Sequence, residues 1–359
     1  MDDRDDRRFV AAAIRLGASA LGSTWPNPAV GAIVVKDGCV VGRARTARGG
    51  RPHGEALALA MAGEQARDAT LYASLEPCSH FGRTPPCSDA IIAAGVRRVV
   101  TTLSDPDPRV SGAGLERLRQ SGIEVTTGHL KREAERAQIG HFTRMRRGRP
   151  HVALKLAVSV DDAIGRAGEP QVPVTGDIAR RHAQALRTRF DAVMVGRGTV
   201  EADDPRLTCR LPGLNHRSPV RVVLDSAARL GEGYRVFSED TPTWIFSAAP
   251  SETSSEQTRS FAAPRGAGGL DLWACFSQLA EEGITRVLVE GGARLARSLL
   301  EADLADEVLL FRSPAMLGGD IVPALAGLPL SSVERSPHFE VIERRRFRQD
   351  SLRRYKRVR

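Results

Sequence analysis

Histidine, cysteine and glutamate bind transition metals and move protons, and two short stretches of this chain set them at the edges of regular structure. Arg51-Pro52-His53-Gly54-Glu55 opens an alanine-rich helical run, "RPHGEALALAMAG", and "LEPCSHFGRTPPCSDA" carries Cys78 and Cys87. Glu76-Pro77 stops a strand, Cys78 follows its carboxyl end and Cys87-Ser88-Asp89 starts a helix, so both thiols fall at junctions where α/β sheets collect active sites. The partial positive charge of a helix start favours the thiolate that binds metal. His53, Cys78 and Cys87 therefore offer one nitrogen and two sulfurs, a set that suits one tetrahedral Zn²⁺ per chain with a fourth position left for water. Glu55, two residues past His53, is placed to take that water's proton and return it to a leaving amine.

Taken singly these features are bland: a lone histidine is usually a surface or capping residue, and two cysteines nine apart are usually packing. His80, in the loop between the cysteines, competes as a ligand. The combination of His-x-Glu, then Pro-Cys and a second Cys, matches the signature of zinc-dependent base deaminases, with eight residues between the cysteines where that signature has two.

These residues need elements to hold them. Apolar spacing predicts a helix over 8–21, and two β-branched runs about Asp37-Gly38 predict a hairpin over 29–44. Further on come a helix over 54–62, strands over 69–75, 97–103 and 123–128, and helices over 88–95 and 114–122. Strands alternating with short helices after a hairpin imply a mixed sheet covered on both faces. "TRMRRGRP" (143–150) reads as a join, and the pattern restarts beyond it. Strands are expected over 151–160, 191–196, 220–225, 243–248, 285–292 and 305–314, helices over 177–189, 272–283 and 294–302, and a surface loop over 248–269. The expected domains are 1–147 and 148–359, a natural division for 359 residues.

Composition narrows the class. No run approaches the roughly 20 apolar residues of a membrane span, and "MDDRDDRRFV" lacks the apolar core of a secretory signal. With five scattered cysteines this points to a cytoplasmic protein with reduced thiols. The net charge of +9 invites a nucleic-acid partner, but the last sixteen residues alone carry +8, nine Arg or Lys against one Asp, which leaves +1 for the rest. That tail reads first as a solvated terminal strand and second as a phosphate contact.

"WPNPAVGAIVVKDG", "HGEALAL", "LEPCSHFGRTPPC" and "DPDPRVSGAGLERL" resemble the deaminase half of the bacterial bifunctional riboflavin-biosynthesis proteins, in which the longer cysteine spacing is usual. "LKLAVSVDD", "DAVMVGRGTVEADDPRLTCRLPG", "VVLDS" and "VEGGARLARSLL" resemble their reductase half, and the likeness runs in order from about residue 9 to 320. It implies a cytidine-deaminase-like three-layer α/β/α domain followed by a dihydrofolate-reductase-like α/β domain. The activities implied are zinc-dependent removal of the 2-amino group of 2,5-diamino-6-(5-phosphoribosylamino)pyrimidin-4(3H)-one, then NADPH-dependent reduction of the ribosyl group to ribityl. It also implies that Asn27 contacts the pyrimidine, and that a homodimer forms through the second half. For NADPH the matching positions are Ala157, Thr199, Asp203, Ser226 and Gly292, Ala293, Arg294, Leu295, Ala296, Arg297 and Ser298; for the sugar phosphate they are Lys155, Arg187, Leu207, Arg210 and Glu290. Two arginine forks suit phosphate oxygens, and Gly-Gly before a helix suits a pyrophosphate.

The second half departs from the family where Ser-x-Asp-Gly-Arg is usual: Ser159-Val160-Asp161-Asp162-Ala163 loses the glycine and the basic residue. A usual tryptophan is missing from "PQVPVTG", and Pro170 stands where a serine is common. The alternatives are a working deaminase joined to an impaired or non-catalytic reductase-like domain, and a base deaminase acting on RNA.

Overall fold

The computed structural model describes residues 2–82, 84–169, 173–238, 241–249, 257–266 and 268–358. It contains two units, Met1–Gly148 and Arg149–Arg359.

The first unit begins with α1 (Asp3–Ala18), whose N-cap Asp2 accepts from the Asp5 amide and whose first turn holds three further acids. Next come β1 (Gly31–Lys36), β2 (Cys39–Arg45), α2 (Gly54–Ala62), β3 (Thr70–Ala73), α3 (Cys87–Ala93), β4 (Arg98–Thr101), α4 (Ala113–Gln120), β5 (Glu124–Thr127), α5 (Lys131–Ala137) and α6 (Ile139–Arg147). Asp37 and Gly38 both take positive φ, the twist a two-residue hairpin requires, and pair β1 with β2. The sheet order is β2-β1-β3-β4-β5, with β1 antiparallel to its neighbours and β3, β4 and β5 parallel. Phe9, Val10, Ala13 and Ile14 of α1 pack with Tyr72 and Val100 on one face. Ala58 and Leu59 of α2, Ile91 of α3 and Leu118 of α4 pack with Val34, Leu71 and Val99 on the other. The three-layer α/β/α architecture follows from that alternation.

The second unit starts with β6 (His151–Val158), β7 (Ala163–Arg166), α7 (Asp177–Arg187), β8 (Ala192–Gly196), α8 (Arg197–Asp203), β9 (Val220–Leu224), β10 (Thr243–Ser247) and β11 (Thr258–Ala262). It continues with β12 (Arg265–Gly266), β13 (Gly269–Leu270), α9 (Leu272–Glu281), β14 (Arg286–Val289), α10 (Ala293–Glu301), β15 (Glu307–Arg312), β16 (Ile321–Pro323), α11 (Ser331–Glu334), β17 (Phe339–Phe347) and β18 (Asp350–Arg357). The main sheet runs β11-β10-β9-β8-β14-β6-β15-β18-β17, parallel from β11 to β15 and antiparallel at its last two strands. All parallel strands therefore end on one edge, where such sheets bind ligands. At the opposite edge, Asp191 accepts from the Thr285 and Arg286 amides, and buried Arg149 makes a two-pronged pair with Asp306 at 2.6 and 2.8 Å.

Three expectations change. The boundary between the units falls within the expected join at 143–150, but most of that stretch is helix: α6 runs to Arg147 and stops at Gly148 in the left-handed region. The expected loop at 248–269 holds β11, paired with β10 over five residues, and the β12–β13 ladder. The basic tail is a hairpin whose β18 lies inside the sheet; Leu352 and Tyr355 are buried, and Arg354 and Arg357 pair with Glu307 and Asp303 at 2.6 and 2.5 Å. Among the described residues no helix is long and apolar enough to cross a membrane.

α1 rests directly on β1, because a Cβ on Gly31 would lie 2.1 Å from the Ala13 carbonyl oxygen and 2.5 Å from the Gly17 amide. Gly31→Ala is therefore expected to destabilise the first unit by about 2 kcal/mol or more, since neither backbone can yield. A urea unfolding midpoint matching the wild type would reject this account of the α1–β1 contact.

Candidate active site

In the first unit two helix starts and a strand end meet. His53 is the N-cap of α2, Cys87 is the first residue of α3, and Cys78 follows β3 after Glu76-Pro77. α2 can sit this close because of Gly54, whose Cβ would lie 2.8 Å from the Val30 carbonyl oxygen and 3.2 Å from the Arg45 Cα. His53 Nδ1 lies 3.3 Å from Cys87 Sγ and 3.5 Å from Cys78 Sγ, and the three donor atoms fall within 4.8 Å of one another. A tetrahedral zinc with Zn–N about 2.0 Å and Zn–S about 2.3 Å separates nitrogen from sulfur by roughly 3.5 Å, so the set fits that ion. His80 stays outside the cluster; it lines the pocket beside it, with Nδ1 buried and unpartnered among the described residues.

The electrostatics suit a cation. The Cys78 thiol is held down to about 4, first by its hydrogen bond with the Cys87 thiol and then by His53 and the Cys87 backbone N–H, against burial. The Cys87 thiol is pushed up by that same bond and by burial. Burial lowers His53, but the Cys78 hydrogen bond and the charges of Glu55 and Cys78 outweigh it, so its imidazole is raised. Glu55 is 2% exposed, its carboxyl is raised to about 7 chiefly by burial, and its Oε2 has no partner among the described residues. A buried carboxyl near neutrality beside a metal cluster can both take and give a proton.

The pocket next to the cluster is lined by Asn27, His53, Glu55, Cys78 and His80 together with Asp105, Asp107, Arg109, His141, Arg144 and Met145. Asn27 donates to the Gly50 carbonyl at 3.0 Å. The last six residues, and Glu76, escaped sequence reading. Glu76 is buried and accepts from the amides of Asp105, Gly112, Gly114 and Leu115 at 3.0 to 3.4 Å, tying the Cys78 turn to the loop before α4. That loop is built from "DPDP": the Asp107 amide donates to Asp105 Oδ1 and the Arg109 amide to Asp107 Oδ1, two successive turns closed by aspartate side chains. The repeated Asp-Pro was its one visible signal.

In the second unit, Lys155 and Ala157 lie on β6, Thr199 and Asp203 on α8, Ser226 past β9, Glu290 past β14, and Gly292 at the N-cap of α10. All are at or near the carboxyl edge of the parallel strands. Cβ atoms on Gly196 and on Gly292 would meet open space and only Thr199 Oγ1 at 3.4 Å, respectively, and the Gly292 amide donates to that hydroxyl. These bare starts of α8 and α10 fit the pyrophosphate of a dinucleotide. Within the α10 stretch, Ala293 and Ala296 are buried, Leu295 and Ser298 half-buried and Arg294 exposed, while Arg297 pairs with Glu301 and the Ala326 carbonyl. Leu207 is buried among Val193, Val195, Val200 and Val223.

Glu290 anchors the positions that the resemblance implied for a sugar phosphate. Arg187 donates to both its oxygens at 2.6 and 3.0 Å and to the Thr208 carbonyl at 2.8 Å, and Lys155 Nζ lies 3.9 Å from Oε2. Burial raises the Glu290 carboxyl, yet the Arg187 charge and hydrogen bonds, with Lys155 and Arg210, hold it down at about 2. Burial, with Arg187 adding to it against Glu290, lowers the Lys155 ammonium. Arg210 is exposed; its amide donates to Gln184, and its guanidinium is lowered by burial and by Arg187, Arg206 and Arg235.

The departures at 159–163 are absorbed by the fold. Asp162 takes φ +60°, a left-handed turn that favours glycine, and pairs with Arg312 at 2.8 Å. Ala163 is fully buried against Val174 and Leu317. Pro170 and the neighbouring Gln171 and Val172 lie outside the described residues.

A His-Cys-Cys cluster beside a buried glutamate on an α/β/α sandwich, followed by a largely parallel sheet with glycine openings at two helix starts, defines a zinc-type deaminase joined to a dinucleotide-dependent reductase. Residues 3–103 match the family model of the cytidine and deoxycytidylate deaminase zinc-binding region, and residues 150–352 that of the RibD C-terminal domain. Riboflavin biosynthesis protein RibD of Escherichia coli (strain K12) is 41% identical over 353 residues, 94% of this chain and 95% of that protein. A solved diaminohydroxyphosphoribosylaminopyrimidine deaminase/5-amino-6-(5-phosphoribosylamino)uracil reductase from Thermotoga maritima is 34% identical and superposes with a TM-score of 0.88 over 99% of both chains. Acinetobacter baumannii RibD gives 32% and 0.86, also over 99% of each. The chain belongs to the RibD family of bifunctional riboflavin-biosynthesis enzymes, a deaminase and a reductase, with zinc and NADPH as cofactors.

The buried Arg187–Glu290 pair carries a stability signature. A carboxyl held at about 2 in the fold, against an ordinary 4.5, stabilises fully above about pH 4.5 and loses that contribution as pH falls toward 2. The amount is on the order of 3 kcal/mol. Thermal unfolding should therefore fall more steeply between pH 4.5 and 3 in the wild type than in Glu290→Gln; parallel curves would contradict the assigned charge state.

Proposed function

We propose that the first unit deaminates 2,5-diamino-6-(5-phosphoribosylamino)pyrimidin-4(3H)-one, and that the second reduces the ribosyl group of the resulting 5-amino-6-(5-phosphoribosylamino)uracil to ribityl. The observation that carries the first step is Glu55, buried, with its carboxyl raised to about 7 and its Oε2 without a partner among the described residues, two residues from the His53 imidazole that faces both sulfurs. His53 Nδ1, Cys78 Sγ and Cys87 Sγ would hold zinc, which supplies Lewis acidity toward water when bound. Glu55 takes a proton from the attacking water and delivers it to the departing amine, so that ammonia leaves neutral. Asn27 and the walls beyond it bind the ring.

In the second unit NADPH supplies a hydride when bound, and the residues present position it. Gly292 and Thr199, with the α10 stretch through Ser298, cradle the dinucleotide beside Ala157, Asp203 and Ser226. Arg187, fixed in plane by Glu290, keeps N–H groups for the sugar phosphate together with Arg210, and Lys155, 3.9 Å from Glu290, would meet the sugar beside them. The intact Glu290 cluster and the packed 159–163 turn favour an active reductase over a merely binding one.

Mass spectrometry of the products tests both halves. The wild-type chain should yield the deaminated ribosyl compound without NADPH and the ribityl compound with it. Glu55→Gln should keep about one zinc per chain but lose deamination by two or more orders of magnitude, the weight of general acid–base catalysis. Near-normal deamination by that variant would reject the role of Glu55, and an unreduced product with NADPH would reject the reductase reading.

The chain is further inferred to work in the cytoplasm as a homodimer formed through the second unit, whose main sheet ends at β11 and β17. Sedimentation equilibrium should return twice 38.8 kDa; a monomer would overturn the assembly.

A further inference from the structure

We propose that His141 is a positioning residue of the deaminase: it holds the Asp105 carboxylate so that Oδ2 accepts a hydrogen bond from an N–H of the pyrimidine. This rests on the deaminase reading above. A pyrimidine bearing amino and ring N–H groups needs acceptors in the pocket, and the lining carboxylates can be sorted by their free capacity. Both oxygens of Glu76 are occupied by four amides. Both oxygens of Asp107 are occupied by Arg109, at 2.6 to 3.2 Å. Glu55 is the proton carrier. Asp105 remains: Oδ1 takes the Asp107 amide at 2.9 Å and His141 Nε2 at 2.7 Å, while no donor among the described residues reaches Oδ2.

The pair is built to stay in place. Asp105 and His141 are 7% and 6% exposed, so the carboxylate has little water to compensate a lost partner. A carboxylate has no proton to give, so Nε2 carries the hydrogen, which points the ring edge at Oδ1. The Asp105 backbone is fixed by Glu76, which accepts from its amide at 3.0 Å. At the N-cap of α6, Gln138 donates to the Ala29 carbonyl at 2.9 Å, and on the helix Phe142 packs with Val30 and Leu75. His141 is thus anchored before and after, and Arg144 and Met145, three and four residues on, line the same pocket. Without the imidazole N–H, Oδ1 keeps only one donor and the carboxylate is free to turn about its χ2.

The test is deaminase kinetics on the zinc-loaded full chain, with zinc content and the reductase rate as controls. His141→Phe should raise KM for the diaminopyrimidine roughly ten- to a hundredfold, the weight of a hydrogen bond to a charged group. kcat should stay within about threefold, because His141 does not touch the reacting atoms. His141→Gln, whose amide supplies an N–H, should recover most of the loss. Asp105→Asn should raise KM as much as His141→Phe, and the double variant no further. A wild-type KM in His141→Phe, equal losses in the Phe and Gln variants, a loss confined to kcat, or additive effects in the double variant would each overturn the proposal. If His141→Phe fails to retain zinc, His141→Gln decides alone: a KM within threefold of wild type supports the assignment and a tenfold rise ends it. A wild-type chain with no deaminase activity would reject the deaminase reading instead.

Discussion

The first unit is organised by the approach of one imidazole nitrogen to two sulfurs. His53 Nδ1, Cys78 Sγ and Cys87 Sγ come from a helix N-cap, the turn after a strand and a helix start, and no two are within eight residues in the chain. Bringing them within 4.8 Å requires α2 to press against β1 and β2 where only Gly54 fits, and requires the parallel β3–β4 pair to return the chain through α3. Burial around the cluster then does electrostatic work: it raises the Glu55 carboxyl to about 7, while the hydrogen bond with the Cys87 thiol, and after it His53, hold the Cys78 thiol low. The same packing that closes the core thus prepares the chemistry.

The second unit solves a different problem. At the carboxyl edge of its parallel strands two cationic groups are largely buried, and Glu290 pairs with both, Arg187 and Lys155. Three charges in one site tolerate desolvation because both Glu290 oxygens and three of the Arg187 N–H groups find partners. The opposite edge repeats the device with Arg149 on Asp306 and Arg354 on Glu307, whose carboxyl is held below its ordinary range against burial by His151 and Arg354. One end of the sheet is closed by ion pairs and the other is left open at the glycines of α8 and α10. The open end is the one where all parallel strands finish, the edge at which such sheets bind ligands.

Glu76 shows how a residue of no obvious chemistry governs a site. It reads in the sequence as the residue before a strand-stopping proline, yet its four amide partners set where the Asp-Pro-Asp-Pro loop stands. That loop brings Asp105 to the pocket, and α6 brings His141 to Asp105. The basic tail is the reverse case: a conspicuous charge run whose Arg354 pairs with Glu307 on β15 and Glu343 on β17 and whose apolar positions complete a sheet.

Local pattern determined a good deal. The α2 run, the Asp37-Gly38 hairpin and the strand-helix alternation were legible because they depend on spacing and turn chemistry within a few residues. The convergence of His53, Cys78 and Cys87 was legible because thiols and an imidazole at element ends are metal-type donors with few other uses. Tertiary structure alone decided the rest. α6 was masked by its basic residues and by Gly148, and β11 by the serine-rich stretch before it, since an edge strand takes its stability from a partner rather than from its own pattern. The His141–Asp105 contact joins residues 36 apart, and Arg187–Glu290 residues 103 apart. Such pairs leave no periodic trace, because burial and hydrogen-bond need arise only once the elements that carry them have packed.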